Sequence, residues 1–296
     1  MSKPQVFVVK GIAPWYNNGR GYDLWEDITH VVSADESVPG QATVTCDGNV
    51  TNMRSMFNTC DNLTELDLSN FDTSNVTNTS AAFICCYNLD KLDVSTFDTS
   101  KVTNMDSMFA YCSNLTSLDV SSFNTSNVNS MNAVFANCSN LTELDVSKFN
   151  TSKVEDMSYM FESCYNLASL DLSKFDTSKV TSMTGMFMHC NSLDSLNVSS
   201  FDTFKVDDMG WMFTDCYKLT TLDLSTFDTS KVKSMCAMFW NCSGLTTIKG
   251  VIDMKSCTDY VDMFRNCPKL TDVKIKNPPY NFYGGGLSKS QYTIVS

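Results

Sequence analysis

From residue 50 onward the apolar positions of the chain follow one short pattern again and again. In the stretch 115–140, Leu115, Leu118 and Val120 end on a period-two step, as in a short strand with one buried face. Phe123 follows, and Asn124-Thr125-Ser126 reads as a side-chain-capped turn. Val128, Met131, Val134 with Phe135, and Cys138 then recur every three to four residues, which predicts a short helix. So short a helix has no stability alone. The pattern therefore predicts units stacked until their apolar columns merge into one core.

The repeat is regular enough to fix the architecture. Cys60, Cys86, Cys112, Cys138, Cys164, Cys190, Cys216 and Cys242 are 26 residues apart, and Cys267 follows after 25. The phenylalanines Phe57 to Phe264 and the leucines Leu63 to Leu270 keep the same register. We expect an α/β fold: a leucine-rich-repeat-like, right-handed parallel solenoid of about nine 26-residue repeats with terminal caps. Residues 1–49 form the N-terminal cap or attachment region, 50–275 the solenoid, and 276–296 the C-terminal cap or tail. Gln5–Lys10, Gln41–Cys46 and a final Gln291–Val295 read as strands in the caps. The last repeat is degenerate, with Cys257 in place of the column valine and Tyr260 in place of the column methionine.

The string L-D-L-S-x-F-D-T-S-x-V-x-x-M-x-x-M-F-x-x-C, plain at Leu222–Val232 and onward, resembles the BspA-like leucine-rich-repeat surface proteins. It is most similar to their mycoplasma-lipoprotein-type repeat of about 25 residues. The resemblance covers roughly residues 50–275. It implies a leucine-rich-repeat fold and a role in adhesion or host-surface recognition, without catalysis.

Charge narrows the partners. With 21 basic and 33 acidic residues the net charge is −12, which repels nucleic acid and anionic lipid. No apolar run approaches the roughly 18 residues of a transmembrane helix, so membrane insertion is not expected. Val6–Val9 is too short for an export signal, and neither a lipid-anchoring cysteine near the start nor a C-terminal anchor is evident. Departing thus from the secreted pattern, the chain is expected on an exterior reached by assembly inside a cell, as in a phage tail or virion, or through export signals elsewhere.

Several columns carry chemistry-bearing side chains. Nine cysteines form one line with no histidine converging on it and no C-x-x-C, so they read as buried apolar fillers. Asp67, Asp93, Asp119, Asp145, Asp171, Asn197 and Asp223 form a second column. Carboxylates about 5 Å apart repel by about 3 kcal/mol per pair at an effective dielectric near 20. Water, backbone N–H groups or calcium must relieve that, and calcium needs more oxygens than a straight ladder offers. In a third column Asp72, Asp98, Asn124, Asn150, Asp176, Asp202 and Asp228 interchange acid and amide, as turn acceptors do. Asn75, Lys101, Asn127, Lys153, Lys179, Lys205 and Lys231 lie three residues on, and the lysines among them are expected to relieve its charge. No cofactor, metal site or catalytic residue is expected.

Four positions per repeat vary freely: two before the column Phe, one and two after it, and one after the Cys. Every Tyr and Trp between residues 50 and 250 falls there: Tyr87, Tyr111, Tyr159, Tyr165, Trp211, Tyr217 and Trp240. Rigid amphipathic rings among Asn, Ser and Thr suit recognition of a cell-surface protein or glycan. The same rings would alternatively pack within the chain or against other virion or surface-assembly subunits. Trp15, Tyr16, Trp25, Tyr280 and Tyr283 are candidates for attaching the caps to a larger assembly. The reading is a non-enzymatic adhesin or phage receptor-binding component, with a purely structural virion protein as the alternative.

Overall fold

A computed structural model describes residues 5–11, 31–38, 41–46, 50–60 and 63–296, the first three of these segments as backbone only. The Trp15, Tyr16 and Trp25 attachment candidates lie outside the described residues. The chain winds into a parallel β-solenoid. One column of parallel bridges, Asn52↔Asn78↔Asn104↔Ser130↔Asp156↔Ser182↔Asp208↔Ser234↔Asp259, marks nine successive turns.

On the strand face, β4 (Leu63–Asp67) pairs in parallel with β5 (Lys91–Leu92), and β6 (Thr221–Asp223) with β7 (Thr247–Lys249). At the C-terminal end, β8 (Val251–Asp253), β9 (Val273–Lys276) and β10 (Tyr292–Val295) form a parallel sheet in the order β10-β9-β8. At the other end, β1 (Gln5–Gly11) lies antiparallel between β3 (Gln41–Cys46) and β4, with β2 (Val31–Val38) outside β3. The antiparallel strand β1 thus covers the first strand edge of the solenoid. β2 was not legible in the sequence.

The expected helix does not form, and the fold is not a helix-containing α/β repeat. From the Met column to the Cys column each turn runs instead through tight turns closed between residues three apart. Met108 N–H donates to the Met105 carbonyl, Ala110 to Ser107 and Cys112 to Phe109, each at 3.1 Å. The intervening donors point along the solenoid axis: Ser107 N–H reaches the Asn132 carbonyl at 2.7 Å, Phe109 reaches Val134 at 2.9 Å, and Tyr111 reaches Ala136 at 2.7 Å. A four-residue turn buries a side chain every three to four residues just as a helix does, so the spacing alone did not separate the two. Two features decide against the helix. Half the amides find partners in the next turn, and two residues per turn, such as Ser107 and Tyr111, take positive φ of 55° and 63°, which a right-handed helix forbids.

Stacking this arc aligns the core. The Phe57-to-Phe264 rings form an unbroken stack with centroids 5.2 to 5.9 Å apart and planes within 10°. The column thiols from Cys86 to Cys267 are buried, and each donates to the column-Phe carbonyl of the preceding turn at 2.9 to 3.2 Å. Burial pushes the Cys138 thiol up to about 12 and also raises Cys112, Cys164, Cys190 and Cys216, so these sulfurs act as protonated fillers that also satisfy a carbonyl.

Buried threonines bolt the turns together at one corner. The Thr151 hydroxyl donates to the Asp176 carbonyl at 2.9 Å and accepts from the Asp176 N–H at 2.8 Å, and Thr99, Thr125, Thr177 and Thr203 repeat the arrangement. At the C-terminal end, the Gly285 carbonyl accepts the Phe264 N–H at 2.6 Å, satisfying an arc donor of the last turn. Gly286, at φ 109°, lies so close to Arg265 that a Cβ there would sit 2.7 Å from its backbone nitrogen. No larger residue fits that seat.

Candidate functional site

The polar columns are consumed by the fold. In the strand-face column the Asp119 carboxylate accepts the Ser121 N–H at 2.9 Å, and Asp67, Asp93, Asp145 and Asp171 do the same toward the residue two further on. The Asp72 column caps its own bend in the same way, Asp98 accepting from the Ser100 N–H at 2.9 Å and Asn124 from Ser126 at 3.1 Å. These bonds to serine hold Asp93, Asp98, Asp119, Asp145 and Asp171 below the usual carboxylate range.

Beyond the bonds from serine, the lysine column gives some of the expected charge relief, Lys101 helping to lower Asp72 and Asp98, Lys179 Asp176 and Lys231 Asp228, and its ammonium groups also find other partners. Lys101 and Lys153 donate to the Asn75 and Asn127 side chains of the preceding turn, both at 2.7 Å, and Lys231 lies 3.2 Å over the Phe204 ring. Among the described residues no group of three or more His, Cys, Asp or Glu side chains is placed to hold a metal ion.

The strand face opens slightly in mid-solenoid. Cross-turn bonds there lengthen to 3.5 Å at Thr142 to Thr116 and 3.4 Å at Asp194 to Ala168, while the arc stays closed. The opening leaves a groove of about 480 Å³ lined by Ser117, Asp119, Glu143, Asp145, Ser169 and Asp171. Asp119, Asp145 and Asp171 belong to the repeated column, whereas Ser117, Glu143 and Ser169 share a column that also holds Glu65, Lys91, Ser195 and Thr221.

The arc is where repeats differ. The four variable columns lie along it, and their backbone partners are other backbone groups, so the side chains are left to vary. Tyr87, Tyr111, Tyr165, Trp211, Tyr217 and Trp240 are exposed there, each by about two-fifths of its surface, and Tyr159 is half-buried. Tyr159 packs over Gly185 of the next turn, where a Cβ would meet its ring at 2.5 Å. Tyr87 and Tyr111 meet edge to face at 6.3 Å. Tyr111, Tyr159 and Trp211 all sit at the positive-φ positions, with φ of 63°, 57° and 55°. Burial, and then the charge of Glu162, pushes the Tyr111 phenol up. At the C-terminal end Tyr280 and Tyr283 stand almost wholly in solvent.

Two features escaped the sequence reading. Phe204, half exposed beneath Lys231, stands where other repeats carry Ser, and that substitution was the available signal. The second is a polar row in the column two after Phe, where Ser163, His189, Asp215 and Asn241 occupy successive turns. The buried Asp215 carboxylate pairs with His189 Nδ1 at 2.8 Å and accepts from the Asn241 amide at 2.6 Å. Asn241 also donates to the Tyr217 hydroxyl at 3.2 Å, and the Tyr165 ring lies 6.4 Å from the imidazole. Ser163 is buried, and among the described residues no hydrogen bond joins it to His189. Reading the column downward, as the columns of Tyr and Trp were read, would have found the row.

A shared stacked core, side-chain-capped bends and one variable edge define a tandem-repeat β-solenoid. The chain belongs to the family described as Mycoplasma protein of unknown function, DUF285, which matches residues 45–118, 82–169 and 163–277. No curated protein and no solved structure matches it.

Proposed function

We propose that the protein is a non-enzymatic recognition solenoid that presents its arc to a ligand on a cell surface, as an adhesin or as a receptor-binding component of a virion. One observation carries this reading. Tyr111 and Trp211 hold exposed rings at positive φ, where glycine or asparagine would be cheaper for the backbone by about 1 kcal/mol. A fold left to its own stability would not place large, solvent-facing rings there. A gain outside the monomer, in binding, accounts for keeping them.

Fixed steps along a rigid stack let weak contacts add without ordering cost. The resemblance to BspA-like surface repeats supports the same reading, and the negative charge favours a protein or glycan partner over nucleic acid or lipid. The exposed Tyr280 and Tyr283 are suited to docking the solenoid onto a larger assembly.

The test is binding of the labelled protein to a panel of bacterial and animal cells, against a Tyr111→Gly, Trp211→Gly, Trp240→Ala variant. Cell binding that the folded variant loses supports recognition by the arc. Equal binding by both proteins, or none by either, overturns it and leaves a structural role.

A further inference from the structure

The polar row at turns five to eight is marked out on the arc by its histidine–aspartate pair. Its column reads Thr59, Cys85, Tyr111, Asn137, Ser163, His189, Asp215, Asn241, Asn266, so no folding requirement selects a histidine beside an aspartate. Asp215 is only 8% exposed and spends both oxygens inside the row, on His189 and on Asn241. That buried carboxylate therefore locks the imidazole on one side and the amide on the other in single orientations.

What remains unspent points to a ligand class. His189 has committed Nδ1 and keeps Nε2, and Asn241 keeps its carbonyl oxygen, whereas the Tyr217 hydroxyl is engaged with Asp215 and Asn241 and leaves its ring to the ligand. The half-buried Glu162 carboxylate, held above its usual range by burial, stands in the neighbouring column one turn before His189. An imidazole nitrogen and an amide oxygen thus stand fixed in a row whose one buried carboxylate is spent internally. The row is flanked by Tyr165 and Tyr217, exposed by 40% and 39% and two turns apart, a span of about 10 Å at strand spacing. Flat apolar faces beside a fixed row of mixed hydrogen-bonding groups match a pyranose, which has an apolar C–H face and an edge of hydroxyls. A basic peptide would find one carboxylate there, and an anion would meet Glu162.

We propose that Tyr165, His189, Asn241 and Tyr217, held by Asp215, form a saccharide-binding subsite for an uncharged oligosaccharide of hexose or N-acetylhexosamine units. The proposal rests on the arc being a recognition surface and names what one stretch of it takes.

The experiment is titration of the full chain with tetrasaccharides of glucose, galactose, mannose and N-acetylglucosamine, followed by calorimetry and by saturation transfer from protein to sugar. A Tyr165→Ala, Tyr217→Ala variant and a His189→Ala variant are compared with Tyr87→Ala, a ring of the same column outside the row. Thermal unfolding of each variant checks that it is folded. Saturable binding to one of the sugars, weakened at least tenfold by the row variants and less than twofold by Tyr87→Ala, is expected. Absence of binding to all four sugars, or equal loss with Tyr87→Ala, overturns the subsite. If cells are still bound through the arc in that case, only the saccharide assignment fails. If cell binding is also absent, the recognition reading fails with it.

Discussion

Replacing Thr151 by valine removes one oxygen atom from the solenoid and almost no volume. That hydroxyl makes two bonds to the next turn, at 2.9 Å to the Asp176 carbonyl and 2.8 Å from its N–H. Thr151 is 1% exposed, so water does not readily replace the hydroxyl. Each bond is worth about 1 kcal/mol net, and a donor or acceptor stranded without a partner costs about 1–3 kcal/mol. Asp176 itself lies near the surface and its freed groups regain some water, which places the expected loss at about 2–3 kcal/mol. The control is Thr103→Val. The exposed Thr103 hydroxyl donates at 3.2 Å to a Thr77 carbonyl that already accepts the Thr103 N–H at 2.8 Å, so its removal strands nothing. That change should stay within about 0.5 kcal/mol. Hydrogen exchange resolves the effect by turn, since a solenoid opens locally before it opens globally. The Asp176 amide should lose protection in Thr151→Val and keep it in Thr103→Val. Equal destabilisation by the two variants, or an Asp176 amide as protected as in the parent, would refute the bolting role.

Other expectations follow from the same structure. Phe161→Ala interrupts the ring stack between neighbours at 5.9 and 5.8 Å and should cost about 3–5 kcal/mol by urea titration, with exchange rising first in turns five and six. In native protein at pH 8, iodoacetamide should modify the partly exposed Cys85 and Cys236 but spare Cys138, whose thiol is pushed up to about 12; modification of Cys138 without unfolding would contradict the buried column. Asp98 and Asp176 are held below their unfolded value by Ser100 and Ser178, so their contribution is present above about pH 4 and lost as pH falls through the lowered folded value. Ser100→Ala removes the hydroxyl contribution at Asp98, and a proton titration by NMR should show the Asp98 carboxyl moving up. Gly250→Ala should destabilise the solenoid measurably by urea titration, because its Cβ would sit 2.7 Å from the Leu224 carbonyl oxygen at φ 99°.

The register, the parallel stacking and the identity of the core were legible because the Phe, Leu and Cys columns repeat without a break. Secondary structure was less so. Val128, Met131, Phe135 and Cys138 satisfy a helix and a run of tight turns equally well, and the deciding bonds run between turns, which spacing within one repeat does not encode. The Asn, Ser and Thr residues between those positions were the available hint, being poor helix formers that favour bends. At the candidate site the rings were found from their columns. The Asp215 network was not, because His189, Asp215 and Asn241 are each unremarkable until 26-residue neighbours are set side by side.

Arc bonds join residues one unit apart, as Tyr111 joins Ala136. If a whole unit is removed or duplicated, every surviving donor meets the equivalent acceptor of its new neighbour. Coding repeats in tandem can recombine with one another, and such events change the reach of the arc in steps of about 5 Å while the join stays sound. The lineage can therefore lengthen, shorten or reshuffle its array of side chains by unequal crossing-over, a route to new partners that a globular domain with an indivisible interior does not have.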